Sequence, residues 1–259
     1  MKAILLGCAF SLLAVPSFSA DLSMLPLKAP TAAPFLWTSC YAGGQVGGGW
    51  ESSNVTDPIQ IVQDSISGPG TTTSVTTVSV NSMGFVGGGQ LGCDYQFDAR
   101  WVIGIEGAVL GSTMKGSTPV GLPANPGDIA VVSPKTDFIP SVTARLGYAL
   151  DRVLLYAKGG VAWAGETYDV TGSFTGTPFA FEGLDTRTGF TVGGGVDWAI
   201  SGPWSLSLEY DYYNFGHGTV LMIDPVNAPL GLPVDTKQNI QVVLLGLNFH
   251  VFAGQSIAP

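Results

Sequence analysis

Arg187 to Gly216 reads RTGFTVGGGVDWAISGPWSLSLEYDYYNFG, and the spacing within it decides the fold. At a period of two, Thr188, Phe190, Val192, Gly194, Val196, Trp198 and Ile200 share one face, while Arg187, Gly189, Thr191, Gly193, Gly195 and Asp197 share the other. Ser201, Gly202 and Pro203 break the run. Alternation resumes with Trp204, Leu206, Leu208, Tyr210 and Tyr212 opposed to Ser205, Ser207, Glu209, Asp211 and Tyr213. The spacing predicts a tight hairpin whose strands exceed the usual ~5–6 residues. Its charged face and its apolar face, ending in Trp198 and Trp204 at the turn, suit a wall with lipid outside, water inside and aromatics at the interface.

Composition agrees. Charged residues make up 11% of the chain and mean hydropathy is +0.34, yet past the amino terminus no apolar run approaches the ~20 residues of a spanning helix. Glycine, 36 of 259 residues, falls within the alternating runs, where it lets strands bend and approach. A net charge of −9 excludes the concentrated basic surface that nucleic acid requires.

Residues 1–19 read as a secretory signal, with Lys2 ahead of an apolar core from Ala3 to Val15. Residues 20–36, with Pro26, Pro30 and Pro34, read as a flexible linker. The barrel domain is assigned to 37–252, and 253–259 form a carboxy-terminal extension.

Eight alternating runs are expected: Trp37 to Glu51, Asn81 to Phe97, Trp101 to Thr113, Phe138 to Ala149, Val153 to Tyr168, Arg187 to Ile200, Trp204 to Phe215, and Asn239 to Phe252. Short connections alternate with long ones, Ser52 to Val80, Met114 to Asp137, Asp169 to Thr186 and Gly216 to Gln238. That alternation predicts an all-β, eight-stranded antiparallel up-and-down transmembrane barrel, with turns in the periplasm and four long loops outside. In the first hairpin, setting Tyr41 opposite Gly92 places most large side chains against glycine. The same register sets Cys40 opposite Cys93 on the outer face, and two readings stand: a disulfide, or two small apolar residues facing lipid.

Asp94, Glu106, Arg145, Lys158, Asp197 and Glu209 all point inward a few residues above the nearest short turn. An eight-stranded barrel is just wide enough for side chains to fill, so these charges are expected to form a belt of ion pairs that plugs the lumen, with Glu106 and Arg145 paired directly. A gate that exchanges its pairs to pass small ions is the functional alternative, which would make the barrel a small-solute porin.

Four segments now point to a family. Trp37 to Gly44 (WTSCYAGG), Gly87 to Phe97 (GGGQLGCDYQF), Leu155 to Trp163 (LYAKGGVAW) and Glu209 to Tyr213 (EYDYY) resemble the small porin-family outer-membrane proteins of rhizobia and related alphaproteobacteria, often labelled outer-membrane immunogenic proteins. The resemblance implies a barrel akin to the membrane domain of outer membrane protein A, with envelope-integrity and surface-antigen roles, and haemin binding in some relatives. Assembly machinery for such barrels reads the last strand. Here Ala253 to Pro259 follow Phe252, and Leu245, Leu247, Phe249 and Val251 supply the outward row.

Other chemistry finds little support. The two histidines, His217 and His250, fall at opposite ends of the barrel and cannot share a metal. His217 has two readings, a haemin ligand with Tyr212 or Tyr213 as a second ligand, or a polar loop residue. Ser112, Ser141 and Ser207 have no histidine at their level, and Glu209 with Asp211 lies where no sugar reaches, so no enzyme is expected. The glycine triplets at 87–89 and 193–195 lie inside strands with no helix following, which removes the phosphate-loop mechanism. No cofactor is implied, and the expected partners are outer-membrane lipid and lipopolysaccharide, with the barrel assembly machinery. A surface ligand receptor, for haemin for example, is the second reading. A secreted soluble barrel is the third, and the inward charges oppose it.

Overall fold

The computed structural model describes residues 35–56, 77–121, 129–174, 176–223 and 231–251. The signal, most of the linker, the carboxy-terminal extension and part of each of the four long connections (57–76, 122–128, 175 and 224–230) lie outside the described residues.

Its strands are β1 (Ser39–Thr56), β2 (Thr77–Phe97), β3 (Trp101–Ser112), β4 (Thr118–Gly121), β5 (Ile129–Leu150), β6 (Val153–Phe174), β7 (Thr177–Ser201), β8 (Trp204–Ile223) and β9 (Gly231–His250). Each pairs antiparallel with its neighbours in the order β3-β2-β1-β9-β8-β7-β6-β5-β4, and β3 also pairs β5. β3 and β4 both lie along β5, joined through Lys115, which bridges Met83 and Lys135. They are two pieces of one stave, so the nine strands make a closed barrel of eight staves. Closure runs through β1 and β9, from Tyr41 opposite His250 to Thr56 opposite Asp235.

The register of the first hairpin is the expected one, with Tyr41 opposite Gly92 and Cys40 opposite Cys93. The three short turns also stand where the sequence puts them. Gly202 adopts a φ of 54°, a conformation that costs glycine nothing.

The strands run well past their expected upper ends, and the reason is a change of polarity along each stave. On β6, Leu155, Ala157, Val161 and Trp163 face out, about 11 residues from Val153 that rise ~25 Å at a tilt near 45°, the height of a lipid-facing band. Above Trp163 the outward residues are Thr167, Asp169 and Thr171, while Tyr168 and Val170 turn inward and are buried. The upper half is thus apolar inside and polar outside, as in a water-soluble barrel. A scan for oily outward rows stops at the top of the lipid band. Much of Asp169 to Thr186, expected as a long loop, is therefore a continuation of the β6–β7 hairpin, paired as far as Phe174 opposite Thr177. Likewise β4 and the start of β5 occupy much of the expected loop from Met114 to Asp137.

Parity makes one comparison decisive. Leu208→Arg, on the lipid face, should cost ~2–4 kcal/mol, whereas Thr171→Arg, outward above the band, should stay within ~0.5 kcal/mol. Denaturant titration of the barrel folded in lipid vesicles reads both, and equal losses would contradict the placement.

Candidate functional site

The inward side chains stack in layers, and β6 shows the sequence of them. From the periplasmic end upward, Leu154 belongs to an apolar floor, Tyr156 and Lys158 to an ionic belt, Ala162 and Ala164 to an apolar middle, Glu166 to a second polar layer, and Tyr168 and Val170 to an apolar top. β9 repeats the upper part of the order, with Leu244, Val242 and Ile240, then Gln238 and Thr236, then Val234.

All six expected belt residues, Asp94, Glu106, Arg145, Lys158, Asp197 and Glu209, are buried in the lumen. Arg145 on β5 lies 3.3 Å from Glu106 and 2.7 Å from Asp197, and 3.7 Å from Asp94. Its guanidinium also stacks over the Tyr156 ring at 3.9 Å. Lys158 on β6 reaches Glu106 at 3.0 Å and Asp211 at 3.1 Å, and bonds Glu209. Glu106 therefore joins the two cations into one network. A buried carboxylate loses hydration that only such partners replace, so the network is worth keeping whole more than forming piecemeal.

Two tyrosines tie the belt to the wall in the same way. Tyr41 on β1 reaches across Gly92 on β2 and donates to Glu106 on β3 at 2.6 Å, while Arg145 donates to its oxygen. Tyr156 on β6 reaches across Gly195 on β7 and donates to Glu209 on β8 at 2.6 Å. A Cβ on Gly92 would lie 2.6 Å from the Tyr41 ring, and one on Gly195 would lie 2.7 Å from the Tyr156 hydroxyl oxygen. Both glycines are therefore required by the close approach. The signal was present in the sequence as a repeat: Gly92, Asp94, Trp101 and Glu106 recur at the same spacing as Gly195, Asp197, Trp204 and Glu209.

The sequence reading missed other members. Asp211 completes the belt. Arg187, on the same strand as Asp197, lies in the second polar layer, 2.9 Å from Asp185 and 3.5 Å from Glu166. Glu51 in that layer accepts from Ser53, Thr136 and Gln238. The lumen is also less polar than expected, because the apolar floor, middle and top fill much of it. Trp37, placed by sequence at the start of the first run, precedes β1 and is wholly buried in the floor, with Phe35 packed edge-on against it.

Cys40 and Cys93 are joined by a disulfide on the outer face. His217 lies on β8 rather than in a loop and faces out beside Lys237. Tyr213 keeps the inward parity of Asp211, and a bulge between Asn214 and Gly216 turns His217 outward, so the two cannot share a ligand, while Tyr212 donates to Asn239. His250 is buried under Trp37 with Ser39 at 2.7 Å and Ser205 at 2.9 Å, one on each ring nitrogen, so no carboxylate orients the ring as in a nucleophilic triad. Among the described residues no group of three or more His, Cys, Asp or Glu is placed to hold a metal.

Residues 17–249 match the family model described as the outer membrane protein beta-barrel domain. The chain is 29% identical over 257 residues to the 31 kDa outer-membrane immunogenic protein of Brucella melitensis, a match covering 96% of this chain and 99% of that one. The protein of the same name from Brucella suis matches to the same extent. Among solved structures, the outer membrane protease OmpT of Escherichia coli aligns with a TM-score of 0.50 at 7% identity, covering 83% of this chain and 98% of the protease, a likeness of fold alone.

Removing one partner from a buried network strands the others, so Arg145→Met should cost ~3–5 kcal/mol. Lys135→Met breaks an exposed pair with Asp137, 2.5 Å away, and should cost no more than ~1 kcal/mol. Comparable unfolding midpoints for the two variants would contradict the belt's role.

Proposed function

Because this chain belongs to the outer membrane protein beta-barrel domain family and resides in the cell outer membrane, we propose that it is a non-conducting, non-enzymatic barrel that strengthens the envelope and carries its extracellular wall and loops outward as a display surface. The observation that carries this reading is the filled lumen, where the belt joined by Glu106 is sandwiched between apolar layers. An ion crossing it would have to break buried pairs and leave charged partners stranded. The belt is a structural plug on this reading, and the burial of its six charges speaks against the alternative of a small-solute pore. Absence of catalysis is supported by the burial of Ser39, Ser205 and His250 beneath Trp37.

Lipopolysaccharide is the proposed outer contact. Outward Met83, Lys115 and Lys135 are bridged across adjacent staves, and Phe85, 81% exposed, lies just below Met83. Lys115 lies beside Lys135, which already pairs with Asp137, and lipid phosphates at that height offer a further anion. The outward row Leu245, Leu247, Phe249 and Val251 is the proposed signal for the assembly machinery.

Planar-bilayer recording of the folded protein tests the plug. At most brief, small openings are expected, and steady large channels would overturn the reading.

A further inference from the structure

We propose that the Cys40–Cys93 bond is made on the unassembled chain in the periplasm, so that the first hairpin enters the membrane with its register already locked. The argument rests on where the two sulfurs lie. Cys93 belongs to the outward row of β2, between Leu91 and Tyr95, which are 68% and 60% exposed, and its neighbour on β3 is Ile105, 67% exposed. Phe97 and Trp101 mark the periplasmic end of that face. At ~2.3 Å of height per tilted residue, Cys93 stands ~9 Å above Phe97, inside the lipid-covered band.

Disulfides form when a thiolate attacks a disulfide sulfur in line, and the reaction needs both an ionised sulfur and room for a polar reagent. Hydrocarbon supplies neither. In the periplasm both conditions hold, and a dithiol oxidoreductase in its disulfide form is the oxidant class. One chain thiolate attacks that disulfide to give a mixed disulfide and release one oxidant thiolate. The second chain thiolate then displaces the oxidant, which leaves as the dithiol carrying two electrons and, by way of solvent, the two protons of the chain thiols.

The timing matters because of what Cys40 does at the seam. Its carbonyl accepts a hydrogen bond from the Val251 N–H, at the point where the last strand closes on the first. Tying β1 to β2 beforehand holds Tyr41 over Gly92 and presents β1 as a template of fixed register to β9. A slip of one residue there would turn every β1 side chain to the wrong face.

The test uses the mature chain, fully reduced, folded into dilauroylphosphatidylcholine vesicles and checked by its heat-dependent gel mobility. Oxidised glutathione is added to this sample and to the same chain in urea, and free thiols are counted by mass after maleimide labelling. The urea sample should close the bond and the folded sample should keep both thiols, reacting slower by a factor of at least ~100. Closure in the folded barrel within a few-fold of the urea rate would overturn the proposal. A reduced chain that makes no barrel when the oxidised chain does would place the bond before assembly as well. In cells with barrel assembly arrested, the accumulated chain should already be oxidised, and free thiols there beside oxidised assembled protein would also overturn it.

Discussion

Hydrocarbon offers no partner to a peptide N–H or C=O, and everything else in this molecule follows from that constraint. A sheet in lipid cannot keep an edge, so β1 must pair with β9 along its length, and the chain must run up and down an even number of staves to bring them together. Closure at eight staves fixes the bore. A bore of that width must be filled by side chains, and alternate residues of every strand have no choice but to fill it.

What fills it is set by a second balance. At the height of the bilayer, each outward position has to be apolar, which leaves charge only for the inside. Buried charge in turn demands partners, and Glu106 supplies them by answering both Arg145 and Lys158. Above the bilayer the demand reverses. Water now wets the outside, and the inner face becomes an ordinary core of Val55, Val80, Val132, Tyr168 and Val234. One continuous ladder of backbone hydrogen bonds thus carries two opposite patterns of side chains, and the apolar middle layer of Ile139, Ala162 and Leu244 marks the changeover.

The lower half of this design was legible in the sequence. Period-two alternation, three short turns and the Tyr41–Gly92 register were enough for strand order, closure and the inward direction of the belt, because a single rule governs them. The upper half was not, since Asp169 and Thr171 read as loop to anyone looking for oily outward rows. Tyr213 and His217 were mispaired for a different reason: the bulge at Asn214 shifts parity by one residue, and nothing in the local residue types announces it. The partners of Arg187 were missed because Glu166 lies near the upper end of its run, above the belt, where no second polar layer was expected. The Tyr–Gly–Glu ties needed comparison of two distant hairpins, which reading along the chain does not provide.

Leu244 and Leu245 are adjacent in sequence and sit on opposite sides of the wall, 1% and 49% exposed. Methyl relaxation by a nitroxide-labelled fatty acid, measured on the barrel in lipid nanodiscs, addresses that difference directly. The account predicts strong broadening at Leu245, and at Val161 and Leu208 with it, while Leu244, Ile139 and Val242 stay sharp. Equal broadening at Leu244 and Leu245 would contradict it.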